Sequence, residues 1–271
     1  MEASKKICLL TDSPDSYLDI FNVFYTLFKR NWPDCPYEFY LTVEESNVSY
    51  DGINIVKCGV GKNQIERLLF AIKNISADFV VLFDEDIFFS KKIHNKDIQI
   101  IPDIMSENGF VYWRLAPFPK QRIIPVKNHS YLSYVDAKKR YGKSLMFQVF
   151  EKKYLIELFD KEKQTGWDIE NNWVIESLKT KEKYFSNFVI DTRDLFGMIH
   201  GISKGKWIRS SLRKLKKNHL VVNLKIRPKL PLLLSIVANI KNIVVSIVPN
   251  RFVGKMKLFL KKIGFKFAIK N

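Results

Sequence analysis

One short run of apolar residues constrains the fold of this chain more than any other stretch. Phe79 to Phe83 (FVVLF) are five consecutive apolar residues, flanked on both sides by acidic ones. A run of this length predicts a strand buried on both faces, as in a parallel sheet covered by helices. The apolar spacing from Ile65 to Ile75, just upstream, predicts an amphipathic helix. We therefore expect an α/β protein.

Three adjacent carboxylates, Asp84, Glu85 and Asp86, follow this predicted strand directly. Like charges at the end of a buried strand repel each other, and desolvation raises their pKa. On an extended backbone Asp84 and Asp86 point to the same side, with Glu85 opposite. We expect the two aspartates to hold Mn²⁺ or Mg²⁺, since these ions prefer oxygen ligands and often bind substrate phosphates as well. The alternative is a solvated acidic turn.

The helix, the strand and the Asp-x-Asp motif together resemble the GT-A fold of glycosyltransferases, over roughly residues 5–207. The resemblance implies a Rossmann-like mixed sheet, flanked by helices, whose acidic end binds a nucleotide sugar. It also implies two regions, a glycosyltransferase domain at residues 1–207 and a basic, apolar, helical extension at residues 208–271.

The first predicted strand ends in a turn that offers further donor-binding residues. Thr11 and Asp12 stand where α/β folds place a nucleotide, at the carboxyl end of the first strand. The alternative is a helix start, with Ser13 or Asp15 as the N-cap. The resemblance to GT-A enzymes extends the expected donor-binding set to Lys62, Arg67 and Glu85.

A second cluster, Trp167, Asp168 and Glu170, opens a helix predicted from Gly166 to about Leu178. An indole face can stack on a sugar ring, and a carboxylate can take the proton of an acceptor hydroxyl. The alternative is that acids in a first helical turn only complement the helix dipole.

Together with Ser144-Leu145-x-x-Gln148 upstream, this Trp-Asp-x-Glu motif is similar to a group of bacterial glycosyltransferases of surface-polysaccharide synthesis, of the capsule or O-antigen type. The resemblance implies an inverting enzyme whose base is either Asp168 or Glu170. It is also similar to the Trp-x-x-Glu-Asp pattern of galactosyltransferases, in which the final Asp is the base. Here that position is Asn171, so both candidates stay open.

A third cluster follows the last predicted strand, with His200 and Gly201 leading to Lys204, Gly205 and Lys206. A lone histidine is more often structural than a ligand. This order, however, resembles GT-A enzymes in which a late histidine completes the metal shell and basic residues hold the diphosphate. The resemblance implies His200 as a metal ligand and Lys204 and Lys206 at the diphosphate, with glycines that let the backbone approach phosphate closely.

The net charge of +17 is concentrated at one end of the chain. All 28 acidic residues lie at or before Asp194, whereas 18 of the 45 lysines and arginines follow it. Apolar stretches such as Pro231 to Pro249 alternate with these lysines, which is typical of interfacial helices on anionic lipid. The alternative is a subdomain packed on the body. We expect contact with an anionic membrane and no nucleic-acid binding, because the rest of the chain is nearly neutral.

These patterns predict a metal-dependent hexosyltransferase, cytoplasmic and peripheral at the inner face of the cell membrane. Its donor would be a nucleotide-diphosphate sugar, with a UDP-sugar favoured, and its acceptor a glycan or lipid-linked glycan. Two alternatives remain, a metal-dependent nucleotidyltransferase and a non-catalytic protein that binds membranes or polyanions.

Overall fold

A computed structural model describes residues 5–161, 164–232 and 234–235. The strands are β1 (Ile7–Asp12), β2 (Glu38–Val43), β3 (Ile53–Lys57), β4 (Phe79–Phe83), β5 (Ile87–Phe88), β6 (Tyr112–Arg114), β7 (Pro125–Val126), β8 (His129–Asp136), β9 (Phe147–Glu151), β10 (Tyr184–Asp191), β11 (Ile199–His200), β12 (Ile202–Ser203) and β13 (Lys206–Trp207). Nine of them form a mixed sheet in the order β3-β2-β1-β4-β9-β6-β10-β8-β7. Two small antiparallel pairs, β5 with β11 and β12 with β13, lie outside it.

Helices cover both faces of the central sheet. They are α1 (Leu18–Asn31), α2 (Gln64–Asn74), α3 (Asn95–Gln99), α4 (Ile101–Asn108), α5 (Lys152–Phe159), α6 (Gly166–Lys179) and α7 (Arg209–Lys217). Apolar side chains of α1, α3, α4 and α7 pack in the core cluster on one face, and those of α2, α5 and α6 pack in the cluster on the other. The predicted α/β class, with a mixed sheet flanked by helices, is therefore confirmed.

The apolar run at the centre of the sheet is buried along its whole length, as predicted. All five residues of β4 are buried, and their side chains alternate between the two core clusters. Phe83, for example, lies among the aromatic rings of Phe24 and Phe39. One neighbour of β4, β1, runs parallel to it, but the other, β9, is antiparallel. The apolar run of β4 suggested a parallel sheet, but in the structure β4 has one parallel and one antiparallel neighbour.

The described part of the basic extension packs on the body. Helix α7 buries Leu215 in the core cluster that also holds α1. Further along, the amide of Leu230 donates to the carbonyl of Trp207 at 2.8 Å, and the guanidinium of Arg227 binds the carboxylate of Asp19 at 2.9 and 3.1 Å. The expected membrane-binding stretches beyond residue 235 lie outside the described residues. In the described ranges, no helix has both the length and the apolar character needed to cross a membrane.

Candidate active site at the carboxyl edge of the sheet

The carboxyl ends of six strands meet at one edge of the sheet. β1, β2, β3 and β4 are parallel, and β6 and β10 share their direction because β9 is antiparallel to both β4 and β6. The chain adds β2 and β3 on one side of β1 and then returns to place β4 on the other side. Open α/β sheets bind ligands at such a reversal of strand order. Asp12, which ends β1, and Asp84, which follows β4, flank it here.

The acidic triplet forms a tight turn at this point. The amide of Ile87 donates to the carbonyl of Asp84 at 3.1 Å, and the amide of Asp84 donates to the carbonyl of Met146 at 3.3 Å. Asp84 to Asp86 are therefore not extended, and our prediction of an extended backbone for these residues is wrong. The physical reason is that the chain leaves the sheet after β4 and reverses into β5, which pairs with β11.

This pairing of β5 with β11 brings a histidine to the acidic turn. His200 lies opposite Ile87, and its Nε2 atom is 3.1 Å from Oδ2 of Asp86. Partial desolvation lowers the pKa of His200, whose side chain is 54% exposed, but the hydrogen bond with Asp86 and the negative charges of Asp86 and Asp84 outweigh it, so that the net pKa is raised. The structure thus brings together the histidine and the acids that the sequence assigned to one site.

Asp84 and Glu85, the other two acids of the turn, form no salt bridge among the described residues, and Asp84 feels the charge of His200 only at longer range. The carboxylate of Asp84 accepts a hydrogen bond from Nε2 of Gln64 at 3.3 Å. Burial raises the pKa of Asp84 well above its usual value, and the charges of Asp86 and Glu170 raise it further. Glu85 is only 8% exposed, and its pKa is also raised well above the usual value, first by burial and then by its acidic neighbours. This corner therefore favours binding of a cation.

The donor atoms of the turn fit part of a metal shell. Within the described ranges, no group of three or more His, Cys, Asp or Glu side chains is arranged to hold a metal ion. A pair is in place, however, since the 3.1 Å between Asp86 and His200 matches two adjacent ligands of an octahedral ion, which lie about 3 Å apart when the bonds are about 2.1 Å. Mg²⁺ often takes only one or two protein carboxylates and completes its shell with substrate phosphates. The three-ligand set with Asp84 stays a prediction.

The expected donor-binding residues on β1 and α2 bind each other. Arg67 Nε and Nη2 donate to the two carboxylate oxygens of Asp12 at 2.7 and 2.6 Å, and the Thr42 hydroxyl donates to the same carboxylate at 2.5 Å. The hydroxyl of Thr11 donates to the carbonyl of Phe83 at 2.7 Å. All of these side chains are buried. These hydrogen bonds connect the end of β1 to β2, β4 and α2, next to the reversal of strand order.

Two polar residues at this edge of the sheet, Ser13 and Gln64, were not predicted from the sequence as site residues. Ser13, directly after β1, is fully buried, and its Oγ has no hydrogen-bond partner among the described residues. It does not cap α1, which begins at Leu18 after a short 3₁₀ turn at Asp15–Tyr17. Gln64, in the first turn of α2, reaches Asp84. Only the fold shows that Gln64 reaches the acidic turn and that the hydroxyl of Ser13 is buried without a partner among the described residues.

The predicted diphosphate lysines lie on the small hairpin of β12 and β13. Lys204 and Gly205 form its two-residue turn with φ angles of 51° and 69°, the backbone of a tight hairpin that glycine favours. Lys204 is exposed and Lys206 is half-buried. Nη1 of Arg227 donates to the carbonyl of Gly205 at 3.0 Å, so the described extension anchors this hairpin. Lys62, in contrast, donates to the carbonyl of Cys58 in the loop after β3.

Gly201 has a packing role that differs from the expected approach to phosphate. Its amide donates to the carbonyl of Asp86 at 2.7 Å. A Cβ atom at this position would lie 2.3 Å from Cε2 of Phe88, which is closer than two carbon atoms can approach. The absence of a side chain therefore lets β11 lie directly against the acidic turn and hold His200 beside it.

The two candidate bases at the start of α6 have different environments. Asp168 forms a capping box with Thr165, whose amide and hydroxyl donate to it at 2.8 and 2.6 Å, and these hydrogen bonds lower the pKa of Asp168. Glu170 accepts a hydrogen bond from the amide of Leu145 at 3.1 Å, and burial raises the pKa of Glu170. Trp167 is 68% exposed. Of the two acids, only Glu170 contributes to the raised pKa of Asp84 at the acidic turn.

Several solved structures are similar to this chain at low sequence identity. Residues 1–349 of S. aureus TarS have 9% identity, with 70% of this chain and 59% of that chain covered and a TM-score of 0.46. The same protein in complex with UDP-GlcNAc has 10% identity, 74% and 60% coverage and a TM-score of 0.48. The 4-diphosphocytidyl-2C-methyl-D-erythritol synthase from Anaerococcus prevotii has 12% identity, 80% and 97% coverage and a TM-score of 0.45.

This chain therefore spans less than two thirds of the TarS structures. No protein-family model and no curated protein matches the sequence.

The buried Asp12–Arg67 pair gives a stability prediction. Arg67→Met leaves the Asp12 carboxylate buried without its cation, so we expect the free energy of unfolding to fall by about 3–5 kcal/mol in a urea titration. Lys73→Met is the matched control on the same helix, because Lys73 forms an exposed pair with Asp160, and it should cost about 0–1 kcal/mol. Equal losses for the two variants would contradict a structural role for the buried pair.

Proposed function

We propose that the protein is a metal-dependent glycosyltransferase that moves a sugar from a nucleotide-diphosphate sugar, most suitably a UDP-sugar, to a glycan acceptor. The observation that carries this proposal is the cluster of Asp84, Asp86 and His200 at the reversal of strand order, with Glu170 beside it. Such an edge is where α/β sheets bind nucleotides, and its uncompensated acids suit a cation that accompanies a diphosphate.

The metal-binding residues of this proposal are Asp86 and His200, with Asp84 as the third. Bound there as Mn²⁺ or Mg²⁺, the ion would supply Lewis-acid stabilisation of the leaving diphosphate. Lys204 and Lys206, on the hairpin that continues from β11, would add positive charge on the same group. Asp12 and Arg67 would act from below, by holding the end of β1 in place under the nucleotide.

Glu170 is the base that the geometry favours. Its burial raises the pKa of the carboxyl toward the range in which a general base works best, whereas Asp168 is committed to the helix cap. In the proposed step the acceptor O–H bond breaks and its proton moves to Glu170. The acceptor oxygen bonds to the anomeric carbon as the bond from that carbon to the diphosphate oxygen breaks. Attack opposite the leaving group inverts the anomeric centre.

The acceptor side of the proposal is a lipid-linked glycan of surface-polysaccharide synthesis, reached at the inner face of the cell membrane. In the described extension Val221 is 95% exposed, Ile226 is 64% exposed and Leu232 is 59% exposed. Lysines lie between them, and no acidic residue follows Asp194. Exposed apolar side chains among basic residues suit a surface of anionic lipid.

The metal assignment predicts the effect of Asp86→Asn. This variant keeps the shape of the side chain but removes the charge, so Mn²⁺-dependent transfer from a panel of UDP-sugars should fall by about 100-fold or more. Asp103→Asn, on the exposed side of α4, is the control and should retain activity. Unchanged metal-dependent transfer by Asp86→Asn would contradict the assignment. Release of pyrophosphate in place of a nucleoside diphosphate would favour a nucleotidyltransferase.

The choice of base predicts different effects for two conservative variants. Glu170→Gln removes the proton acceptor and should lower kcat by about 100- to 10,000-fold while UDP binding is retained. Asp168→Asn should lower the melting temperature by weakening the helix cap and leave kcat nearly unchanged. The reverse pattern in steady-state kinetics would assign the base to Asp168.

The membrane proposal predicts salt-sensitive binding to lipid. The full chain should sediment with vesicles that contain phosphatidylglycerol and remain in solution with pure phosphatidylcholine. Deletion of residues 236–271 leaves the contacts of Arg227 and Leu230 intact and should strongly reduce sedimentation. Equal sedimentation with both kinds of vesicle, or full retention of binding after the deletion, would overturn the electrostatic account of the extension.

A further inference from the structure

A buried glutamine in the central sheet has no hydrogen-bond partner. Gln148, on β9, has no exposed surface, and neither its Oε1 nor its Nε2 atom finds a partner among the described residues. Leaving such a group unpaired costs about 1–3 kcal/mol per donor or acceptor. An amide kept at this position therefore needs an explanation, and none of the residues assigned above supplies one.

The position of Gln148 links it to the acidic corner. It lies opposite Leu82, the penultimate residue of β4, and opposite Arg114 on the other side. Side chains alternate along a strand, and Phe147 and Val149 pack in the cluster that holds α1. Gln148 therefore points to the other face of the sheet, where α2 and α6 lie.

A second unpartnered group belongs to the same face. Ser144 is buried, and its Oγ also has no partner in the described part of the chain. The backbone of Ser144 is held by the hydroxyl of Tyr112, to which its amide donates at 3.1 Å and which donates to its carbonyl at 3.2 Å. The next amide, that of Leu145, donates to Glu170 at 3.1 Å. Ser144 and Glu170 are thus fixed beside each other.

The nearby arginine does not satisfy these groups. Arg114 is fully buried, and its guanidinium donates to backbone carbonyls, those of Ala116 at 3.0 Å, Pro119 at 3.0 Å and Gly142 at 2.7 Å. These bonds hold the backbone just after β6 and just before Ser144. The amide of Gln148 and the hydroxyl of Ser144 remain unpaired among the described residues.

We propose that Gln148 and Ser144, beside Glu170, form the subsite for the hydroxyl groups of the transferred sugar. A primary amide offers an acceptor and two donors, and a serine hydroxyl offers both functions, which complements adjacent hydroxyls of a pyranose ring. Glu170 is bound by the amide of Leu145, the residue after Ser144, and its charge also acts on Asp84, so that a sugar here would follow from a diphosphate at the acidic turn.

This inference rests on the proposed function and is tested by comparing the binding of UDP with the binding of UDP-sugars. The measurement is calorimetric titration with UDP and with UDP-glucose, UDP-galactose and UDP-GlcNAc, all in the presence of Mn²⁺. In Gln148→Leu the affinity for UDP should stay within about twofold of the wild type. The affinity for the UDP-sugar that the wild type binds best should fall about tenfold, as expected for the loss of one or two hydrogen bonds.

A thermal scan of the ligand-free protein separates recognition from folding. Because Gln148→Leu replaces an unpaired amide by an apolar group of similar size, its melting temperature should not fall. Gln164→Leu is the matched control, since Gln164 is also buried but its Nε2 donates to Leu158 at 2.7 Å; it should lose stability and keep its preference for UDP-sugars. Gln148→Met gives the same test with an unbranched side chain if the leucine variant misfolds.

The outcomes are distinct. Wild-type affinity of Gln148→Leu for every UDP-sugar would overturn the subsite and leave the glycosyltransferase proposal standing. A change confined to the KM of the acceptor would move the glutamine to the acceptor side and overturn the assignment to the donor sugar. If the wild-type protein binds neither UDP nor any UDP-sugar, the proposed function fails and the subsite fails with it.

Discussion

The constraint on which the rest of this structure depends is the concentration of negative charge directly after β4. The strand must be apolar to cross the core, and it ends in Asp84, Glu85 and Asp86. Burial raises the pKa of two of these carboxyls, those of Asp84 and Glu85. Among the described residues, His200 is the only basic side chain that forms a salt bridge with the triplet, through Asp86. A corner of this kind gains stability when a cation is bound, and the fold places it where the strand order reverses.

The charge of this acidic turn explains the arrangement of several neighbouring elements. The chain turns sharply after β4, so that β5 can pair with β11 and bring His200 to Asp86. Gly201 lacks a side chain because Phe88 occupies the space that a Cβ atom would need. The hairpin with Lys204 and Lys206 follows at once and is anchored by Arg227. The described extension therefore supports the candidate site, in addition to any contact with lipid.

Much of the fold could be predicted from local patterns. The apolar run predicts β4, the apolar spacing from Ile65 to Ile75 predicts α2, and α6 begins at Gly166, where the sequence places the start of a helix. The insertion of antiparallel β9 between β4 and β6 could not be predicted, because pairing between distant strands leaves no periodic signal in either one. The position of β8 (His129–Asp136) likewise depends on pairing with the distant strand β10.

The candidate site was predicted in part. The acids, His200 and the two lysines stand out by residue type and order, and the structure brings Asp86 and His200 into contact. Which carboxylate of α6 is partly buried beside the acidic turn could not be deduced, because a capping acid and a partly buried acid look alike in a short motif. The same holds for Gln148 and Ser13, since lack of a hydrogen-bond partner is a property of the folded chain.

The most direct test of the central claim is a titration of Mn²⁺ followed by the electron paramagnetic resonance signal of the free ion, with and without UDP. Because Asp86 and His200 supply only part of a metal shell, the account predicts weak binding of Mn²⁺ alone and clearly tighter binding, at one ion per chain, once UDP is present. Binding of Mn²⁺ that is unaffected by UDP, or that survives the replacement of both Asp86 and His200, would contradict it.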